Sequence, residues 1–492
     1  MSKRVAVIGS GLGGLSAAIH LARAGHSIDL FEKNSAPGGK MNLYEVGGYR
    51  FDTGPSLLTM PDVLLELFDQ PSISALPIDI EPVDPLCRYF YKDGSVLDAF
   101  GDRPRFLAEL ERFSPGSSVE YIKFMEYTRK IYNTAAPVFL FEPIHEIKRI
   151  LKLKHLNSLF HVSRIDAFRT VHKTVSGAFS DPRLIQLFDR YPTYNGSDPY
   201  QAPATLNIIP YVEFELGGFY ISGGMYGLVE ALVKEAVGLG VNIKLNSPVD
   251  SIINDGFRVS GVRVAGDIYD YDAVVCNGDV VDSYNRLLPG FNKTKAKLND
   301  LEPSVSGMVF LWGVNANHKQ LAQHNIFFSG DYQHEFKQIF QDQTPPDDPT
   351  IYIAITSKAD SSHAPPGCEN WFVLLNMPYL TEDQDWESAT NRLRQAVFEK
   401  LKNNDLDIAS SIQHEHIFTP QTLQERYWSN RGSIYGLSSN DRNAAFRRPP
   451  NRNRDLRGLY FAGGSTHPGG GIPLCLLSGK MAAELAQEYD LS

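Results

Sequence analysis

Short apolar runs closed by glycine mark both ends of the chain. Val5 to Ile8 is a continuous apolar stretch ending at Gly9, the pattern of a strand buried on both faces in a parallel sheet. Leu12 to Ala24 then repeats apolar positions at helical spacing until Gly25, and "SIDLF" (27–31) reads as a second buried strand. Near the other end, "GLYFAGG" (458–464) is a strand running into a glycine turn, and Leu476 to Glu488 follows as a helix. Between these ends the pattern changes. Residues 291–424 alternate strand-like runs ("SGMVFLWGV", "PTIYIAIT", "NWFVLLNM") with polar turns and the helical stretch "SATNRLRQAVFEKLKN". Residues 76–214 read as mostly helical, with aromatic-rich joints.

This order predicts an α/β protein with a Rossmann-type nucleotide-binding domain, a mixed-sheet substrate domain and a helical domain. The nucleotide domain is expected to be discontinuous, built from 1–75, 215–290 and 425–492, because the C-terminal strand has to return to the sheet begun by Val5 to Ile8. Residues 76–214 then form a helical lid that associates with membrane, and 291–424 form the substrate-binding domain with a sheet bounding a cavity.

Charge sharpens the picture in one place. The 492 residues carry a formal net charge of −10, which argues against nucleic acid as a partner. Between His145 and Lys173, however, seven Lys and Arg face only Glu146 and Asp166, with Leu, Ile and Phe interleaved at helical spacing. A basic amphipathic helix pair across Val138 to Lys173 suits an anionic bilayer surface, and a helical hairpin with a solvated basic face is the plainer alternative. No stretch of about 18 continuous apolar residues occurs. The apolar start behind Lys3 and Arg4 is interrupted by glycines, against a signal peptide. Cys87, Cys276, Cys368 and Cys475 share no CxxC spacing and read as free thiols. The thirteen histidines contain no HxxxH pair, so no metal site is expected.

The glycines of the first turn carry the candidate chemistry. Gly9, Gly11 and Gly14 stand in GxGxxG spacing, with Gly13 beside them. The first permits a tight turn, the second lets a pyrophosphate approach the backbone, and the third lets helix pack on strand. The helix N-terminus offers its N–H groups to the anion. Glu32 ends the second strand 18 residues after Gly14, where a carboxylate accepts from a ribose hydroxyl. An acid there favours NAD or FAD over NADP.

The segment that follows, "APGGKMNLYEVGGYRFDTGPS", resembles the flavin-dependent amine oxidase and carotenoid desaturase superfamily: a second glycine pair, Gly38 and Gly39, then Lys40 where arginine is usual, then the loop Phe51 to Ser56. The run Tyr460 to Ile472, "YFAGGSTHPGGGI", is similar to the C-terminal signature of bacterial phytoene-desaturase-type carotenoid desaturases, with Gly470 a slight departure. "GGFYISGGMYGLVEAL" (217–232), "DSSHAPPGCENWFVLLN" (360–376) and "YWSNRGSIYGL" (427–437) look like the same branch, so the resemblance spans essentially the whole chain.

The resemblance implies non-covalent FAD and a long apolar polyene substrate. It places Gly9, Gly11, Gly14, Glu32, Lys40, Ser56, Gly463, Gly464, Gly471 and Ile472 around FAD, with Gly13, Lys33, Gly39 and Gly54 in the same segments. Val249 falls on the strand that meets the adenine, and Asn277 and Asp279 at a strand end near the same groove. His467 is the candidate polar group beside the flavin, its alternative role being to fix the loop. The implied reaction is desaturation by hydride transfer from an allylic carbon to flavin N5, with proton loss from the adjacent carbon and no strong base. Oxygen or a quinone then takes the electrons. A 1-hydroxycarotenoid 3,4-desaturase is the expected activity, with multistep phytoene desaturation and a flavin amine oxidase as alternatives. A flavin-binding escort protein would dispense with the C-terminal loop that is intact here. The carotenoid comes from the lipid phase, so the expected location is cytoplasmic, peripheral to the inner face of the cell membrane.

Overall fold

In the computed structural model, residues 2–150 and 165–492 are described. Two sheets organise the molecule. The first has five parallel strands in the order Leu459–Phe461, Ala273–Cys276, Arg4–Ile8, Ser27–Phe31, Asn242–Lys244. Its strands come from both ends and the middle of the chain, as the discontinuous arrangement requires. Val5, Ala6, Val7 and Ala273 are fully buried, in keeping with a sheet covered on both faces. The first helix, Leu12–Arg23, and the C-terminal helix, Ile472–Ala486, pack together on one side. They approach closely because Gly479 has no side chain: a Cβ there would overlap the Gly13 carbonyl oxygen. Ser16 Oγ donates to the Leu476 carbonyl at 2.7 Å across the same contact.

The C-terminal helix begins at Ile472, four residues before the predicted start. Pro473 does not break it, because a proline in the first turn forfeits only an N–H that has no intrahelical partner.

The second sheet is mixed and seven-stranded, in the order Ile412–Phe418, Ser306–Val314, Glu369–Met377, Ile351–Ile355, His324–Phe327, Cys87–Phe90, Val96–Ala99. Its last two strands come from the segment expected to be mostly helical, and Cys87–Phe90 joins parallel to His324–Phe327 while the other pairings are antiparallel. The apolar/polar pattern of "CRYFYKDGSVLDA" is a short hairpin with a turn at Asp93-Gly94, a signal overshadowed by the helices around it.

Period-two alternation gives this sheet an outer and an inner face. Met308, Phe310, Trp312, Trp371, Val373, Ile351, Ile353 and Phe327 point outward into one apolar cluster. The helix Trp386–Lys402 seals it with Leu393, Val397 and Leu401, spaced by four and fully buried. Asp385 caps that helix by accepting from the Ser388 amide at 3.1 Å. The inner face carries Val309, Leu311, Phe372 and Ala354, which pack under the hairpin residues Tyr49 and Phe51. It also carries Tyr352, His324, Ile326 and Tyr89, which face the helical segment.

Among the described residues no helix is long and apolar enough to cross a membrane. The centre of the predicted basic helix pair, 151–164, lies outside the described residues. On its flanks, Arg149 pairs with Glu484 at 2.5 Å and Glu488 at 2.8 Å, and Arg169 with Asp166 at 2.5 Å. Phe141, Ile147 and Phe168 are exposed there, Phe168 by 88%.

Candidate cofactor and substrate site

Two glycine loops meet at the carboxyl ends of the parallel strands. Gly9 leaves the first strand at φ +93°, and a Cβ on Gly14 would overlap its carbonyl oxygen. A Cβ on Gly13 would stand 2.7 Å from the Gly463 amide nitrogen, so the N-terminal and C-terminal loops touch through bare backbone. Asn277 sits in the same junction: its Oδ1 accepts from the Gly14 amide, and its own amide donates to the Ile8 carbonyl at 2.8 Å. Gly39 joins from the third loop, a Cβ there lying 3.2 Å from the Gly11 Cα.

Both helices that open on this junction start on glycine. Gly11 and Gly471 are their N-caps, neither offers a side-chain cap, and neither first turn contains an acid. Gly471 reaches φ +104°, a conformation that side chains disfavour. Gly14 is taken by Asn277 and Pro473 has no N–H, which leaves the amides of Leu12 and Gly13 in one helix and Ile472 and Leu474 in the other without a side-chain cap, and the helix dipoles favour an anion there. A cradle of close glycines with two uncapped helix ends fits the pyrophosphate and isoalloxazine of FAD.

Glu32 stands where the second strand ends. It is 4% exposed; its Oε2 accepts from the Ser10 amide and hydroxyl at 2.9 and 2.7 Å, and its Oε1 from the Asn34 amide at 2.9 Å. These bonds fix the carboxylate beside the glycine turn. The Ser247 amide donates to the Glu32 carbonyl at 2.7 Å, which brings Val249, at the start of its strand, next to the same strand end. Lys33 turns elsewhere. Its ammonium donates to the Glu425 carbonyl at 2.8 Å and lies 4.4 Å from the centre of the Trp428 ring.

Lys40, Asp279, Cys475 and Tyr435 lie deep inside the molecule yet keep part of their surface open, so they line an internal hollow. Lys40 Nζ donates to the Ser433 and Ile434 carbonyls at 3.0 and 2.5 Å, and burial brings its pKa down to about 8 against the opposing pull of Asp279 and Cys475. Asp279, raised by burial, caps the helix Val280–Leu287 by accepting from the Val281 and Asp282 amides at 2.9 and 3.3 Å. Burial pushes the Cys475 thiol up to about 11, so it remains protonated at neutral pH.

Arg448 is a part of this site that the sequence did not disclose. Its Nη1 donates to the Gly464 carbonyl at 2.8 Å and its Nη2 to the Leu437 carbonyl at 2.9 Å, and it is 5% exposed. It props the C-terminal glycine loop from behind. "RRPP" reads as a solvated basic turn, and only the fold brings one of its two arginines inward.

His467 does the same kind of work. It is 2% exposed, its Nε2 pairs with the Glu142 carbonyl at 2.8 Å, and its amide donates to the Pro449 carbonyl at 3.0 Å. Burial brings its pKa down to about 3, so the ring is neutral. Asn451 Nδ2 and Ser478 Oγ both donate to its carbonyl, at 2.8 and 2.7 Å. These contacts assign His467 to holding the loop against the helical segment, the alternative role that the sequence left open for it.

The hollow continues away from the glycines. A Cβ on Gly54 would overlap the Lys40 carbonyl oxygen, which draws the Phe51 to Ser56 loop tightly past the cradle. Ser56 Oγ and Tyr352 Oη then share a 2.5 Å hydrogen bond, tying that loop to the inner face of the seven-stranded sheet. Tyr194 and Tyr352, like Tyr435, are deep but partly open. Leu57, Leu206, Ile209 and Phe219 are partly open in the same apolar cluster. Toward the surface, a cavity of about 290 Å³ is bounded by Met60, Val63, Tyr132, Phe141, Phe219 and Leu477. A second, of about 300 Å³, shares Phe141 and Leu477 with it and reaches Arg149, beside residues 151–164.

Comparison with known proteins agrees with this geometry. The profile of the flavin containing amine oxidoreductase family matches residues 12–486. A 1-hydroxycarotenoid 3,4-desaturase of Flavobacterium sp. (strain P99-3) is 37% identical over 98% of this chain and 99% of its own. A 4,4'-diapolycopene oxygenase of Methylomonas sp is also 37% identical, over 98% of each chain. An oxidoreductase of Methanosarcina mazei shares the fold, with a TM-score of 0.64 at 16% identity over 98% of this chain and 100% of its own. With the glycine cradle, the buried Glu32 and a family profile that covers nearly the whole length, the chain belongs to the flavin containing amine oxidoreductase family, in the carotenoid-desaturase type that its C-terminal run resembles, and is an FAD-dependent oxidoreductase.

Proposed function

We propose that this protein is a carotenoid desaturase and that it introduces the 3,4 double bond of a 1-hydroxycarotenoid. The observation that carries the reading is the hollow itself. Between the glycine cradle and the surface, Ser56, Leu57, Tyr194, Phe219, Tyr352 and Tyr435 keep part of their surface open, and Phe219 also bounds the cavity that reaches Phe141. A long apolar chain needs such a dry, narrow passage. The name of the Flavobacterium relative supports the choice of substrate.

The cofactor residues in this reading are Gly9, Gly11, Gly13, Gly14, Gly39, Lys40, Gly54, Ser56, Glu32, Val249, Asn277, Gly463, Gly464, Gly471 and Ile472. Bound there, FAD supplies a two-electron acceptor that takes hydride at N5. The chain's own part is to bind, align and keep dry. The uncapped helix ends hold the anionic cofactor, Arg448 and His467 fix the loop that faces it, and the aromatic wall orients the polyene and excludes water. No side chain is required as a strong base, because charge left on the allylic carbon is spread through the conjugated chain before the adjacent carbon gives up its proton.

We further place the protein at the cytoplasmic face of the cell membrane, drawing its substrate from lipid and passing electrons to oxygen or a quinone. The exposed Phe141, Ile147 and Phe168, beside a strongly basic stretch, favour that placement. Expression in cells that accumulate 1-hydroxylated carotenes, and separately in cells that accumulate phytoene, tests the function. The expected result is a red-shifted product two hydrogens lighter from the hydroxylated substrate. Coloured products from phytoene alone would overturn the choice of substrate.

A further inference from the structure

Where the inner face of the seven-stranded sheet meets the helical segment, a knot of polar side chains lies in an otherwise apolar wall. Arg190, 7% exposed, donates through Nη2 to Tyr89 Oη at 2.7 Å and to Glu213 at 3.4 Å. Glu213, 2% exposed, accepts from Tyr191 Oη at 2.9 Å and from Tyr194 Oη. Beside them, His324 Nδ1 pairs with Tyr352 Oη at 2.8 Å, and Tyr352 pairs with Ser56. His324 and Tyr352 both feel the Arg190 charge, so the two groups form one neighbourhood. Nothing in hydride transfer from a hydrocarbon calls for such a knot, and burying it is costly unless its groups are used.

We propose that this knot is the end-group pocket of the hollow, and that the Tyr352 and Tyr194 hydroxyls take an uncharged, hydroxyl-bearing terminus of the polyene. The proposal rests on the desaturase reading and adds to it the residues that choose the substrate.

Three features fix the chemistry of the ligand. The first is access: Tyr352 and Tyr194, with Ser56, keep part of their surface open, while Glu213 and His324 are closed off. The second is charge. Arg190 and Glu213 neutralise each other at 3.4 Å, and His324 is held neutral by burial, its pKa brought down to about 3. No net charge is left to attract a carboxylate or an ammonium. The third is hydrogen-bonding capacity. Each phenol is oriented from behind, Tyr194 by Glu213 and Tyr352 by His324 and Ser56, and a phenol oxygen both donates and accepts. A hydroxyl does the same, so it completes either arrangement of protons along Ser56, Tyr352 and His324. His324 is closed off behind Tyr352, 2% exposed, and reaches the pocket only through its Nδ1 contact with Tyr352 Oη. His324 is a positioning residue here, acting through Tyr352.

A site built to bond a hydroxyl rejects the analogue that lacks it, because its own polar groups are then left unpaired in a dry pocket. The test uses the full-length holoenzyme as wild type, Tyr352→Phe, Tyr194→Phe, His324→Gln and His324→Leu, with bound FAD measured in each. Each is given a 1-hydroxylated carotene and the same polyene without the hydroxyl, in separate liposomes, and the ratio of initial rates is read. The wild type is expected to prefer the hydroxylated polyene. That preference should fall by about tenfold in at least one of the two tyrosine variants with FAD content intact, and His324→Gln, which keeps a donor and an acceptor, should retain more of it than His324→Leu. An unchanged preference in both tyrosine variants overturns the pocket and leaves the desaturase reading standing. Conversion by the wild type of the unhydroxylated polyene alone does likewise. A wild type that converts neither polyene, with FAD bound, overturns the desaturase reading and the pocket together.

Discussion

Where the glycine loops meet, the protein offers a ligand little but backbone: Gly13 against Gly463, Gly39 against Gly11, and two helix ends with no side-chain cap. Across the hollow the wall is all side chain: Tyr352 and Tyr194 in front, with Arg190, Glu213 and His324 behind. A phosphate asks for converging N–H groups, which any sequence supplies once side chains are out of the way. A polyene asks for shape, and shape comes from large residues held by their neighbours. The two regions should therefore fail differently, the first by losing space and the second by losing partners.

The largest effect is expected at Gly14. Valine there collides with the Gly9 carbonyl and with Asn277, and should abolish FAD binding, with an affinity loss of at least about 100-fold by flavin fluorescence titration. Retention of tight FAD would show that the first turn is not the cradle. Next comes Arg190→Leu, which strands the buried Glu213 carboxylate. Unfolding by denaturant should show a loss of about 3–5 kcal/mol, most of it recovered when Glu213→Gln is added. No recovery in the double variant would mean that the knot is held by packing and not by charge pairing.

The buried histidines give a smaller, pH-dependent effect. His324 and His467 are held near pKa 3 and His20 near 4, all by burial, against about 6.5 in the unfolded chain. As pH falls below about 6.5 the unfolded state takes up protons that the folded state refuses, so stability declines, by about 1.4 kcal/mol per pH unit for each histidine, until the folded pKa is reached. Above about 6.5 this contribution is constant. His467→Gln should flatten the acid slope by one histidine's share and, since the loop and not the chemistry needs this residue, keep the shape of the activity profile above about pH 6.5. A lost alkaline or neutral limb would return His467 to the reacting atoms. The smallest effect is expected for Lys33→Met. With its ammonium turned to Glu425 and Trp428, FAD affinity should change by less than about threefold.

The same contrast explains what could be read from the sequence. Gly9, Gly11, Gly14, Glu32 and the 463–471 loop were legible because backbone geometry is written as glycine spacing, and spacing survives in one dimension. The parallel strands and the helix that carries Leu393, Val397 and Leu401 were legible for a related reason: periodicity is local, although which face of the sheet that helix covers was not. Arg190, Glu213, Tyr352, His324 and Arg448 carry no such mark. They come from separate stretches of the chain, and only tertiary contact separates a buried arginine from a solvated one. The strands at 87–99 were hidden among helices, and Lys33 was assigned by its place next to Glu32, although the bend after Phe31 carries its ammonium to Glu425 and Trp428.

The most direct test of the account is a single turnover. Purified holoenzyme, kept without oxygen or quinone, is mixed with liposomes carrying a 1-hydroxylated carotene. The flavin absorbance should bleach in step with a polyene product two hydrogens lighter, one product for each flavin reduced. An unbleached flavin in the presence of that carotene, together with rapid bleaching by a primary amine, would contradict the assignment.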